Sequence, residues 1–270
     1  MRVQHNMAAM NTNRQLGINV SSQAKSTEKL SSGYRINRAG DDAAGLSISE
    51  KMRAQIRGLD QASTNAQDGI SLIQTAEGAL NETHSILQRM SELATQAAND
   101  TNVTADRDAI KKEIDALASE ITRISQETEF NEMKLLSGKF TAKKLQVGAN
   151  EGQTIEFKID DMSAKTLGVS GLKVDTNANA GASITAVHDA IKTVSAQRSD
   201  LGALQNRLEH TIANVDTASE NLQASESRIR DVDMAKEMVK YSKDNILSQA
   251  AQSMLAQANQ QTSGVLALLQ

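Results

Sequence analysis

Apolar side chains recur along most of this chain in alternating steps of four and three residues. From Leu72 the series runs Ala76, Ala79, Thr83, Ile86, Met90, Leu93 and Ala97, and a second runs Ile110, Ile114, Leu117, Ile121 and Ile124. A third starts at Ile184 and Val187 and passes through Ile191, Val194, Leu201, Leu208, Ile212, Val215 and Leu222 to Ile229. That spacing holds one stripe of a helix against its partners, so it predicts coiled-coil helices packed side by side. The third helix would run for about 45 residues and about 70 Å, the dimension of a rod. The polar stretch "NDTNVTADRDAI" separates the first two helices, with Thr104 or Asp106 placed to cap the second.

Alternation replaces the helical period once. In "LQVGANEGQTIEFKID", Leu145 and Val147, then Ile155, Phe157 and Ile159, take every second position around a glycine-containing turn. This predicts a small β-hairpin region over about 140–180, followed by "DTNANAGAS" as a loop. The helices on either side are then antiparallel neighbours. The fold class is mainly α: an elongated antiparallel helical bundle with a small β-hairpin region.

Both ends keep the spacing but change its chemistry. The N-terminal seam is Ala9, Asn13, Leu16, Val20, Gln23, Thr27 and Leu30; the C-terminal seam is Leu247, Ala251, Met254, Ala258, Gln261, Val265 and Leu268. From Asn245 to Gln270 there is no charged side chain. Neither end carries enough large apolar surface to offset its own ordering entropy. The two ends are therefore expected to pair and to order against many copies, as in a polymer.

Composition sharpens this picture. The 270 residues include no Pro, Trp or Cys, only two Tyr and three Phe, so long helices run unbroken and small aliphatic residues do the packing. The net charge of −4 comes from 29 basic and 33 acidic residues without a basic block, which excludes nucleic acid as a partner. Without cysteine there is no disulfide or thiolate chemistry. No segment is apolar for long enough to span a membrane. The N-terminus lacks the apolar run of a secretory signal, so the chain is either cytosolic or leaves by a route that needs no cleaved hydrophobic signal.

One stretch, "GYRINRAGDDAAG", invites a chemical reading through its paired carboxylates, Asp41 and Asp42, between Gly40 and Gly45. Adjacent acids seldom converge on one ligand, and the four histidines (His5, His84, His188, His210) stand singly. No zinc-protease, nucleophile-elbow or phosphate-loop motif occurs. The stretch reads as a polar turn, a joint between two parts, and the chain offers no candidates for catalysis, cofactor or metal. Two sequons, at Asn81 and Asn102, are discounted because the pattern is frequent by chance and Asn81 falls within a helix. A signalling coiled coil is the competing class; the strand pair and the uncharged paired ends argue against it.

Four longer stretches carry a family resemblance. "LSSGYRINRAGDDAAGLSISEKMRAQIRGL", "QDGISLIQTAEGALNETHSILQRMSELATQAAN" and "ETEFNEMKLLSG" resemble the N-terminal part of bacterial flagellins, and "RIRDVDMAKEMVKYSKDNILSQAAQSMLAQANQQTSGVLALLQ" is similar to their C-terminus. With no long central insert, the chain looks like a minimal flagellin. The resemblance implies a structural subunit of the flagellar filament, secreted to the outside through the flagellar export apparatus, and not an enzyme. It implies residues 1–45 with 231–270 as the paired inner coiled coil, largely disordered before assembly, with Leu16, Val20, Leu30, Leu247, Ala251, Met254, Ala258, Val265 and Leu268 in the filament-core seam. Residues 46–230 would form the surrounding rod, and Gly40, Asp41, Asp42 and Gly45 the inter-domain joint. Implied partners are further copies of the chain, an export chaperone at the C-terminus, and the cap and hook-junction proteins. A flagellin-sensing Toll-like receptor is implied as well, through Arg89, Leu93, Ile110 and Glu113. Two departures stand out: Ser91 replaces a frequent basic residue, and "NQQTSGVLALLQ" lacks the proline and terminal arginine common near the family's end.

Overall fold

The computed structural model describes residues 6–267, with side chains through Gln261. Five helices appear among them: α1 (Met7–Ser32), α2 (Ala43–Ala97), α3 (Thr104–Glu127), α4 (Asn177–Arg230) and α5 (Met234–Ala267). Between α3 and α4 lie two antiparallel hairpins, β1 (Glu129–Phe130) with β2 (Met133–Lys134), and β3 (Lys143–Gln146) with β4 (Thr154–Phe157). The chain divides into two compact units, residues 1–54 with 221–270 (unit 1) and residues 55–220 (unit 2). No helix among the described residues is long and apolar enough to cross a membrane.

Unit 2 holds one apolar core shared by α2, α3, α4 and the β region. In α2, both the expected stripe (Leu72, Ala76, Met90, Leu93) and its neighbours (Ile73, Leu80, Leu87) are buried, because this helix packs on more than one side. In α4 the stripe holds at Val187, Val194, Leu201, Leu208 and Val215, alternating with Ser183, Ala190 and Gln197. The predicted α3 stripe is likewise central, with Ile110, Ile114 and Ile121 buried beside Ala118 and Ser125.

Side chains finish the helix ends of this unit. Asp106, three residues into α3, accepts the backbone N–H of Val103 at 3.3 Å, a capping arrangement. Arg107 donates to Ala97 O at 3.1 Å and Asn99 O at 3.3 Å, satisfying carbonyls left open where α2 ends. Its other Nη reaches Asp175 O at 3.4 Å, and Asn177 donates to Ala98 O, so the start of α4 is tied to the same loop. This explains why "DTNANAGAS", expected as a loop, is helical from Asn177 onward.

The β3–β4 hairpin has the expected alternation, with Leu145 opposite Ile155 and Lys143 opposite Phe157. Ile155, Phe157 and Ile159 are buried, and the Phe140 and Phe157 rings meet at 5.3 Å between centroids. The tiny β1–β2 hairpin was not expected. Its turn places Asn131 and Glu132 at φ +48° and +62°, the left-handed pair a two-residue hairpin turn requires. A glycine would have signalled it; a glutamate did not.

Unit 1 is built on α1 and α5 with the adjoining ends of α2 and α4. Asn6 caps α1 by accepting the N–H of Ala9 at 3.0 Å, and donates its amide to Ala258 O at 2.9 Å. Gly33 ends α1 in the left-handed conformation (φ +75°), where its N–H reaches Lys29 O at 2.9 Å.

Candidate assembly surface

α1 and α5 run antiparallel and close enough for Cα atoms to come within 8 Å. The covered positions of α1 include Ala9, Thr12, Leu16, Asn19, Ser22, Gln23, Ser26 and Leu30; those of α5 include Glu237, Tyr241, Asp244, Ser248, Ala251, Leu255 and Ala258. Asn19, Ser26, Asp244 and Ser248 are the buried ones, and Ser22 Oγ donates to Asp244 Oδ2 at 2.7 Å. Small or short side chains at these places let the two backbones approach, since interaxial distance follows side-chain size.

The period expected from the sequence is therefore present, but half of each seam is displaced by one residue. Leu16, Leu30, Ala251 and Ala258 are partly covered. Val20, Leu247 and Met254 are instead exposed (47%, 41% and 58%), and Asn19, Ser248 and Leu255 take the inward places. Size misled the assignment: the larger apolar residue of each adjacent pair at 19–20 and 247–248 points away from the partner helix. Val265 and Leu268 lie beyond the described side chains.

The outward faces are correspondingly apolar. Met7, Met10, Ile18 and Val20 on α1 are exposed, as are Met234, Met238, Val239, Ile246, Leu247 and Met254 on α5. Ile48, near the start of α2, joins them. Among the described residues outside unit 1, only Val103 and Met133 are large apolar side chains of comparable exposure. Conversely, Ile36 is the only fully buried apolar side chain described in unit 1. Concentrated apolar exposure of this kind marks a surface that meets another protein.

The joint between α1 and α2 lies wholly within unit 1, whereas the division between the units falls at Ala54/Gln55, inside α2. Its two carboxylates do separate work. Asp41 Oδ2 accepts the N–H groups of Arg38 at 3.1 Å and Asn37 at 3.2 Å, and these bonds hold its carboxyl below the usual range. Asp42 caps α2, accepting the Gly45 N–H at 2.8 Å. A Cβ on Gly45 would stand 2.5 Å from Asp42 Oδ2 and 2.8 Å from Ile36 Cδ1, so glycine is required there; Gly40 faces open space. Tyr34 bridges to Asp231, Arg35 N–H donates to Arg230 O at 2.6 Å, and the Arg230 guanidinium lies 4.7 Å from the Tyr34 ring centre. These contacts clamp the turn after α1 to the link between α4 and α5. Among the described residues, no cluster of His, Cys, Asp or Glu could hold a metal ion.

The four residues implied as receptor contacts separate into two pairs. Arg89 and Glu113 are solvent-facing: Arg89 Nη2 donates to Glu113 Oε1 at 3.0 Å and Nη1 to Glu92 Oε2 at 3.0 Å. The hydrogen bonds it donates to Glu92 and then Glu113 raise the guanidinium's pKa above its ordinary value. Leu93 and Ile110, at 2% and 8% exposure, belong to the core of unit 2 and offer a partner no side-chain surface. Their place in the heptad stripes of α2 and α3 already carried that signal. Ser91 sits 3.4 Å from His188 Nε2.

Comparison with known proteins now bears on the surface. Residues 3–141 match the bacterial flagellin N-terminal helical region, and residues 184–269 match the bacterial flagellin C-terminal helical region. The chain belongs to the bacterial flagellin family. It is 60% identical over 271 residues to a flagellin of Halalkalibacterium halodurans, and 54% identical over 303 residues to one of Bacillus subtilis, each alignment covering 100% of both chains. It is similar to the crystal structure of Bacillus cereus flagellin, with TM-score 0.52 and 34% identity, covering 60% of this chain and 94% of that one. A flagellar hook-associated protein of Vibrio parahaemolyticus shares the fold at TM-score 0.60 and 14% identity, over 71% of this chain and 100% of that one. As a flagellin, the chain is a structural subunit of the extracellular flagellar filament and not an enzyme. The short form without a large insert agrees with the full-length alignment to its 60%-identical relative.

Proposed function

We propose that copies of this chain polymerise through the outward faces of α1 and α5, with residues 1–45 and 231–270 forming the filament core and 46–230 the layer around it. The observation that carries this is the inversion in unit 1: polar side chains buried on the seam, large apolar ones exposed on the other faces. Covering each such side chain removes apolar area from water at roughly 25 cal/mol per Å². Contacts between unlike faces of successive copies do not close on themselves, so they propagate into an open helical array. The α1–α5 pair alone has little apolar burial to oppose chain entropy, so neighbours complete its ordering. The export apparatus, a chaperone for the uncharged C-terminal stretch, and the cap and hook-junction proteins are further proposed partners of this assembly, a reading that family membership supports.

The test is seeded assembly followed by electron microscopy, with circular dichroism before and after. Long uniform filaments and a rise in helicity are expected; a soluble species that never elongates, or filaments formed equally well after deletion of 245–270, would overturn the reading.

A second role, recognition by a flagellin-sensing Toll-like receptor, is favoured by the exposed Arg89–Glu92–Glu113 cluster spanning α2 and α3. Its test is receptor-reporter activation by the purified chain. Arg89→Ala should weaken the response markedly, and an unchanged response would remove this role from the cluster.

A further inference from the structure

We infer that the exposed thioethers of unit 1 form a peroxide-sensitive modification site that sets whether a copy of the chain can join the polymer. The inference rests on the proposed assembly surface and adds a chemistry to it. The chain has no cysteine, so every sulfur it carries belongs to methionine. The described methionines differ widely in exposure, and Met52, near the start of α2, is half-buried. Met7, Met10, Met234, Met238 and Met254 lie on the outward faces of α1 and α5, between 50% and 68% exposed. Met90 and Met162, in the core of unit 2, are at 0% and 2%. Flexible, polarizable methionine suits a surface that must adapt to a partner, and it is also the apolar side chain most readily converted to a polar one.

The reaction is a two-electron oxygen transfer from a hydroperoxide. The thioether sulfur attacks the terminal peroxide oxygen, an S–O bond forms and the O–O bond breaks. The remaining oxygen leaves with a proton as water or an alcohol. Methionine is oxidised to the sulfoxide and the peroxide is reduced. A sulfoxide on these faces must lose its hydration when a neighbour covers it, whereas the thioether gains by being covered. Each sulfoxide at a covered position should raise the critical concentration for assembly about tenfold. Assembled copies, with the same sulfurs covered, should resist the reagent. Met133 supplies an internal control: it is exposed on β2, outside unit 1, so it should oxidise without affecting assembly.

The experiment treats soluble full-length chain and preformed filaments with hydrogen peroxide, maps sulfoxides by peptide mass spectrometry, and measures the critical concentration by sedimentation. In soluble chain, the five surface methionines should react at least about tenfold faster than Met90 and Met162, as thioether access dictates. Assembly should fail and then recover on treatment with the two methionine sulfoxide reductases. With the five replaced by leucine, the critical concentration, whatever its new value, should be the same with and without peroxide, whereas Met133→Leu alone should remain sensitive. If oxidised and untreated chains assemble at the same concentration, or if the five react no faster than the core methionines, the redox inference is overturned and the filament reading stands. Untreated chain that never elongates overturns both.

Discussion

The two units use one spacing toward opposite results. In α2, α3 and α4 the stripe carries Leu, Ile, Met and Val, and these close on one another in a common core where Leu80, Leu87 and Ile121 have no solvent exposure. In α1 and α5 the buried places on the covered stripe go to Asn19, Ser26, Asp244 and Ser248, with Leu16, Leu30 and Leu255 only partly covered, while Ile18, Val239 and Ile246 face outward. A four-three repeat thus reports that a helix has partners, but not whether they belong to the same chain. Where the large residues lie on the covered stripe, the unit buries its own apolar surface; where they lie off it, apolar surface is left for a second molecule to cover.

The contrast can be broken most directly in the core of unit 2. Leu87→Ala or Ile121→Ala should cost about 2–5 kcal/mol in urea unfolding, because each removes a fully buried branched side chain. A loss well under that would mean unit 2 is no better packed than unit 1. The complementary test is Ile246→Asp in α5, which should leave unfolding nearly unchanged. It should nevertheless raise the critical concentration for assembly by about 1.5–3 kcal/mol, tenfold to more than a hundredfold. Equal damage to folding and assembly would place Ile246 within the molecule's own core.

Gly45→Ala should cost about 1–3 kcal/mol by forcing apart Ile36 and the Asp42 cap, whereas Gly40→Ala in the same turn should be close to neutral. Matching effects would show that the turn relaxes freely. In unit 2, Glu132→Gly should stabilise by about 0.5–1 kcal/mol, relieving a left-handed glutamate at a small entropic cost.

The smallest effect concerns Asp41. Its carboxyl is depressed below the ordinary 3.8 by the N–H groups of Arg38 and Asn37. Its ionised form therefore adds stability above that pH, and the gain is lost as pH falls through the lower folded value. Asp41→Asn should be slightly less stable than the parent at neutral pH, and the two acid-unfolding curves should converge in strong acid. Curves that stay parallel would exclude the carboxylate's charge as the source.

The helical stripes and the alternation in β3 and β4 were legible because each rests on a period that backbone geometry imposes: four-three steps, or every second residue; the full lengths of α2 and α4, at 55 and 54 residues, and the strand register were not. The phase of the inner seams was not, because the larger residue of a pair such as Asn19–Val20 was taken to be the covered one. The β1–β2 turn was hidden for a related reason, since a non-glycine pair at positive φ has no compositional mark. Among the candidate residues, a polar turn was readable from its glycines and acids, but the separate tasks of Asp41 and Asp42 needed coordinates, and the division between the units falls inside α2 instead. Leu93 and Ile110 show the reverse case: their heptad positions placed them in the core, and the family resemblance alone suggested a surface role.

The hydrogen bond from Asn6 to Ala258 joins residues 252 positions apart. α1 therefore waits for a helix on the far side of the whole intervening chain before it can find its mate. Every intermediate length of chain presents α1 without α5, and closing so long a loop is a late event in folding. The outward faces of the two helices therefore come into register late, after the segments between them have had the chance to fold on their own.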